Sequence, residues 1–270
     1  MRLRKNKAML NNIFDTHAHY TDKRFASDRA ELLRALPGRG VACVLTCGSD
    51  VPDSRAALAL AHEYTYIYAA CGVHPHEASG FGDAAHLRDL LLHEKCVALG
   101  EIGLDYHYDF SPREVQRDCF EKQLRLAREL NLPVIIHDRE AHKDTLNILR
   151  KVFPLTPNSS PLTPIGVVHC FSGCWQFARE VLALGLYIGL GGAVTFKNAH
   201  RPAEVAAQIP LERLLLETDA PYMTPEPHRG QRCDSAHIAY TAEKIAGLRG
   251  MDAQELIDVC HENGRRLFGI

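Results

Sequence analysis

Two histidines, His17 and His19, stand one residue apart in Asp15-Thr16-His17-Ala18-His19, directly after the apolar pair Ile13-Phe14. In an extended chain residues i and i+2 share a face, so both imidazoles point the same way and form a chelating pair. Comparable groups follow other apolar runs: Glu101 after Val97 to Leu99, His137 after Val134 to Ile136, His169 after Ile165 to Val168, and Glu217-Thr218-Asp219 after Leu214 to Leu216. His17, His19, Glu101, His137, His169 and Asp219 together form a nitrogen and oxygen donor set suited to Zn²⁺, Mn²⁺ or Fe²⁺ and, less comfortably, Mg²⁺. These donors exceed the need of one tetrahedral ion. Two divalent ions sharing one carboxylate use them economically, and strand order makes Glu101 a plausible bridge.

Such a site suits hydrolysis. A divalent ion lowers the pKa of a water toward about 7, and a second ion offsets the charge that builds on a phosphoryl oxygen and a leaving oxygen. Asp219 is read as both ligand and acceptor of the attacking water's proton. Glu217 shares its strand face and is read as orienting a ligand histidine. Lys197, Arg229 and Arg232 fall in the loops after the seventh and eighth apolar runs, where barrels often hold phosphate, and are read as substrate contacts. A lone histidine beyond a strand is more often a hydrogen-bonded loop residue, and His74, His76 and His107 are read so. His62, His86, His93, His142 and His261 fall in helical patterns, and His200, His228 and His237 lie in or beside late loops.

The elements that must position these groups are short apolar runs alternating with amphipathic stretches. Besides those named, the strand-like runs are Val41 to Thr46, Tyr66 to Cys71 and Leu186 to Leu190. Nearly continuous apolar strands are buried on both faces, as a parallel sheet covered by helices requires. Ser27 is expected to cap a helix through Leu36, and Ser111-Pro112 to open a long helix to Leu130 along the stripe Phe120, Leu124, Ala127, Leu130. The reading is an α/β chain forming a single (β/α)8 TIM-type barrel over residues 12–270, with an open doubly wound sheet as the alternative. A disordered lead-in is expected over residues 1–11, which carry basic residues but no apolar segment of a signal peptide. The Pro154, Pro157, Pro161, Pro164 stretch reads as an exposed loop on the face opposite the chemistry.

Composition narrows the function. The 270 residues carry 31 Lys+Arg against 33 Asp+Glu, a formal charge of -2, so phosphate recognition must be local and not a global field. No apolar run approaches the roughly 20 residues of a membrane span. The nine cysteines are scattered without a C-x₂-C spacing, which fits a reducing compartment and a cytoplasmic location.

A series of ordered motifs resembles the TatD family of metal-dependent deoxyribonucleases: Phe14 to His19, Gly72-Val73-His74-Pro75-His76, Gly100 to Tyr106, Ile135-Ile136-His137, His169 to Gly173, Thr195 to Asn198, and Leu216 to Tyr222. The match runs from about Ile13 to the C-terminus. The resemblance implies an amidohydrolase-type barrel with one ion on His17, His19, Glu101 and Asp219 and a second on Glu101, His137 and His169. It implies DNA as substrate, with Asp219 and Glu101 as catalytic groups. The loop Arg229-Gly230-Gln231-Arg232-Cys233-Asp234-Ser235 departs from the family pattern R-G-x-R-N-x-P, with Cys233 and Ser235 where Asn and Pro are usual. Two alternatives stand beside this reading. One is a metal-dependent amidohydrolase acting on a small amide, lactone or base; no lysine ends an apolar run to serve as the carboxylated bridge common in such relatives. The other is a non-catalytic metal- or nucleic-acid-binding protein, which the near-neutral charge and the full ligand set disfavour.

Overall fold

The computed structural model describes residues 9–154 and 165–270. Eight parallel strands follow one another in order: β1 Ile13–Ala18, β2 Val41–Cys47, β3 Ile67–Cys71, β4 Cys96–Asp105, β5 Val134–Arg139, β6 Gly166–Val168, β7 Tyr187–Leu190 and β8 Leu214–Leu216. A parallel bridge between Ala18 and Ala220, with the His19 amide donating to the Ala220 carbonyl at 2.7 Å and the Asp219 amide to the His17 carbonyl at 2.9 Å, joins the last strand to the first. The sheet is therefore a (β/α)8 barrel, and the open doubly wound alternative falls.

Helices α1 Arg29–Ala35, α2 Val51–Glu63, α3 Ala85–Leu91, α4 Arg113–Leu130, α5 His142–Val152, α6 Trp175–Ala183, α7 His200–Gln208 and α8 Ile238–Arg249 follow the strands in turn, and α9 Ala253–Phe268 is an extra element. The α4 stripe buries Phe120, Leu124 and Ala127 as the spacing requires. Asp28, and not Ser27, stands at the start of α1, because a 3₁₀ turn over Lys23–Phe25 takes up the preceding residues.

Strand alternation sorts the apolar side chains into two layers. Val44 faces the helices, whereas Cys43, Leu45 and Cys47 join Phe14, Ala70, Ile135, Val167, Tyr187 and Leu215 inside the barrel. The lower end is closed by α9, whose Phe268 ring sits 6.0 Å from that of Phe14. Gly264 lets this helix approach: a Cβ there would lie 2.6 Å from the Phe14 ring. With one end filled, the polar strand ends gather at the other. Leu10 and Asn11, expected in the disordered lead-in, are docked instead: Leu10 packs against the core and Asn11 exchanges two backbone hydrogen bonds with the Gln254 side chain. Residues 1–8 and the proline-rich positions 157, 161 and 164 lie outside the described residues.

Candidate metal centre

Every donor singled out from the strand ends converges on Glu101, which is 2% exposed at the C-terminal mouth of the barrel. Its Oε2 lies 3.2 Å from His17 Nε2 and 3.3 Å from His19 Nε2. Asp219 Oδ1 stands 3.8 Å and 3.4 Å from the same two nitrogens, which are 3.1 Å apart. The other oxygen of Glu101, Oε1, lies 2.6 Å from His169 Nε2, 2.9 Å from His137 Nδ1 and 3.5 Å from His74 Nε2. Ligands about 2.1 Å from a common centre sit roughly 3.4 Å from one another at the corners of a tetrahedron. The donors around Oε2 lie near that spacing and those around Oε1 lie somewhat closer together, so both groups are nitrogen and oxygen sets gathered tightly enough to hold a divalent ion.

The imidazoles are aimed by their other nitrogens. His19 Nδ1 donates to the Cys47 carbonyl at 3.0 Å, which turns its Nε2 toward Glu101 and Asp219. His17 Nδ1 lies 3.4 Å from the Cys47 sulfur. His137 Nε2 is 3.2 Å from Asp105 Oδ2, which also meets His76 Nε2 at 2.9 Å. Behind His169, Glu217 stands with Oε1 3.9 Å from Nδ1 and accepts the Cys170 amide. His169 Nδ1 and Glu217 Oε2 find no other partner among the described residues. Room for that carboxylate comes from Gly189, where a Cβ would sit 2.3 Å from Glu217 Oε2. Asp219 and Cys170 take left-handed backbone angles, φ 61° and 43°, a strain that non-glycine residues accept where the surroundings fix them.

Burial and mutual charge set opposing protonation tendencies. Burial, with His169 alongside, lowers His17 to about 4, so it is a neutral ligand at pH 7. Burial also opposes a charge on His137, but its bonds to Asp105 and Glu101 prevail and raise it to about 9. His19 is likewise raised against burial by Asp219 and Glu101. Burial disfavours an ionised Glu101, yet the surrounding His169, His74 and His17 hold it well below the usual carboxylate range. For Glu217 burial prevails over His169 and the Cys170 amide and pushes it up to about 8.

A profile of the TatD related DNase family matches residues 14–269. The chain belongs to this family. It is 41% identical over 260 residues to YabD of Bacillus subtilis, an uncharacterized metal-dependent hydrolase, covering 96% of this chain and 99% of that one. It is 37% identical over 266 residues to the 3'-5' ssDNA/RNA exonuclease TatD of Erwinia tasmaniensis, covering 96% and 100%. The crystal structure of the TatD homolog YjjV from Escherichia coli superposes with a TM-score of 0.86 at 34% identity, covering 96% and 98%. This TatD-family chain is a metal-dependent hydrolase with a cluster of candidate ligands at its barrel mouth.

Around the centre, the expected substrate cations part company. Lys197 is exposed on the loop after β7, and Arg229 lies with its guanidinium 3.7 Å from the Phe196 ring centroid on the same rim. Arg232 instead gives both arms of its fork to Asp28, at 2.7 and 2.6 Å, and a further bond to the Arg24 carbonyl. The departures from the family pattern have a packing role. Ser235 Oγ lies 2.7 Å from both Asp15 Oδ2 and Tyr20 Oη, and its amide donates to Tyr20 Oη at 2.9 Å, which a proline could not do. Cys233 is fully buried. His76, read from sequence as a hydrogen-bonded loop residue, does bond Asp105, but His74, read the same way, faces Glu101 at 3.5 Å, and Asp105 is given no role of its own by the sequence. Asp105 shares the Glu101 strand face at i+4 but lies beyond the apolar run, and His74 follows β3 by three residues.

Proposed function

We propose that this chain hydrolyses phosphodiester bonds of DNA at a two-ion site held by His17, His19, Glu101 and Asp219 on one side and Glu101, His137 and His169 on the other. The observation that carries the reading is the division of Glu101 between two donor sets, one per oxygen. Divalent ions, Zn or Mn and less comfortably Mg by the chemistry of the donors, would supply charge neutralisation and an acidified water.

The residues do the rest. Asp219 reaches the site from the last strand and accepts a proton from the attacking water. Glu217 keeps His169 turned toward Glu101, and Asp105 does the same for His137. Arg229 and Lys197 meet the substrate phosphates at the rim, whereas Arg232 holds the loop that carries Arg229 against Asp28. A single-stranded substrate is favoured by the exonuclease names of full-length relatives. The nine unbridged cysteines support a reducing, cytoplasmic setting; among the described residues no helix is long and apolar enough to cross a membrane.

The test is hydrolysis of end-labelled single- and double-stranded DNA, RNA and a simple phosphodiester by chelator-stripped protein reconstituted with one metal at a time. Metal-restored cleavage of DNA is expected. Metal-restored hydrolysis of amides or lactones with every phosphodiester untouched overturns the reading.

A further inference from the structure

Two large aromatic side chains stand uncovered beside the metal centre. Tyr108 and Phe110, on the loop between β4 and α4, are 50% and 69% exposed. Their rings lie 5.4 Å apart and 29° from parallel. The loop that carries them is held from both ends. The Asp105 carboxylate accepts the amides of His107 and Tyr108 at 2.9 Å each, and Arg113 grips the Asp109 carboxylate at 2.6 Å while donating to the Tyr106 carbonyl. Asp109 itself takes a left-handed φ of 51° between the two aromatics. Fixing bulky apolar rings in an exposed pose forgoes the burial that would stabilise them, which points to a ligand that covers them.

The same Asp105 joins this platform to the candidate centre, since its other oxygen contacts His137 and His76. His76 stands edge-on to both rings, 5.6 Å from Tyr108 and 4.7 Å from Phe110. Arg139, exposed at the end of β5, places its guanidinium 5.3 Å from the Tyr108 ring centroid. Of the acids nearby, Asp109 is paired with Arg113 and Glu140 with His107. Flat π-surface, a cation over the Tyr108 ring and a short rigid link to a phosphate-cleaving centre match one chemical class of partner.

We propose that Tyr108 and Phe110 stack an unpaired nucleobase of the strand being cleaved, with Arg139 meeting that strand's backbone. The proposal rests on the nuclease reading and deepens it. Stacking tolerates any base, because each presents a π-face, but a base locked in a duplex cannot splay onto the platform. The subsite therefore selects single strands without selecting sequence.

The test compares metal-loaded wild type with the Tyr108→Ala/Phe110→Ala double variant, whose fold is checked by its melting curve. Loss of one stacked base should weaken binding of a single-stranded oligothymidine phosphorothioate, read by fluorescence anisotropy, about 5- to 100-fold, with KM for cleavable oligothymidine rising alike. For an abasic strand of equal length and for duplex DNA the penalty should shrink to about twofold or less, and Phe110→Trp should bind like wild type. An equal penalty on the abasic strand, or none on oligothymidine, overturns the platform. If wild type cleaves no nucleic acid with any metal but the base-dependent binding penalty persists, the nuclease reading fails and the stacking site stands.

Discussion

The rings of His17 and His169 stack face to face, with centroids 3.8 Å apart and planes 14° from parallel, yet they direct Nε2 to different oxygens of Glu101. Two neutral imidazoles tolerate such contact; two charged ones would repel, which is part of why burial and His169 keep His17 unprotonated. The carboxylate thus separates two donor sets that are otherwise in van der Waals contact. Glu101→Ala should empty both positions, whereas His169→Ala should empty one. Elemental analysis of the purified variants, after equal dialysis, checks this. Equal metal retention in the two would remove Glu101 from the bridging role.

Metal uptake should be coupled to proton release. Without metal, His137, raised to about 9, and His19, also raised, carry protons at pH 7 that must leave before their lone pairs can bind a cation. The sign follows directly: protons compete with the ion, so affinity falls as pH falls and climbs as pH rises toward about 9, by about tenfold per pH unit for each proton displaced. Competition with a calibrated chelator between pH 6 and 9, and calorimetry in buffers of different ionisation enthalpy, measure the slope and the protons released. A flat affinity profile would contradict the ligand roles of both histidines.

The strand ends were readable because barrel chemistry gathers where apolar runs stop, and period-two alternation links His17 to His19 without any tertiary information. Asp105 escaped notice because β4 runs on to that residue, well past the apolar stretch that marks the strand in sequence. Arg232 shows the opposite failure. A basic residue on a phosphate-side loop looks the same in sequence whether it faces substrate or an acid from β1's following loop, and its partner Asp28 lies 204 positions away. Ser235 is similar: its substitution for proline makes sense once Asp15 and Tyr20 are seen beneath it.

That difference between the two arginines is measurable. Arg229→Ala should raise KM for single-stranded DNA on the order of tenfold, the scale of a lost charged hydrogen bond, while leaving metal content unchanged. Arg232→Ala should act through the loop, lowering the melting temperature and raising KM less. Steady-state kinetics with both variants, alongside thermal melts, decide the matter. A larger KM effect from Arg232→Ala with an unaltered melt would return that guanidinium to the substrate.

Asp219 is assigned both to an ion and to the proton of the attacking water. Burial works against its charge, but His19, His17 and His169 hold it below the ordinary aspartate range, so it is ionised throughout the working pH range. It is therefore a weak base in isolation, and its usefulness comes from position: Oδ1 lies 3.4 Å from His19 Nε2, and the hydrogen bond its backbone amide donates to the His17 carbonyl fixes the backbone in its left-handed turn. Asp219→Asn keeps the size and one oxygen donor while removing the negative charge and most of the basicity. It should retain substantial metal and lose about 10² to 10⁴-fold in kcat, the range typical of a removed general base. The acidic limb of kcat/KM should move as well, since it reports the coupled site and not one carboxylate alone. If the variant binds metal normally, cleaves DNA within about tenfold of wild type and keeps that limb in place, the loss falls short of general-base removal. Asp219 is then a ligand alone, and His74, lowered to about 4 chiefly by burial and facing Glu101 at 3.5 Å, and Glu217 become the groups to test next.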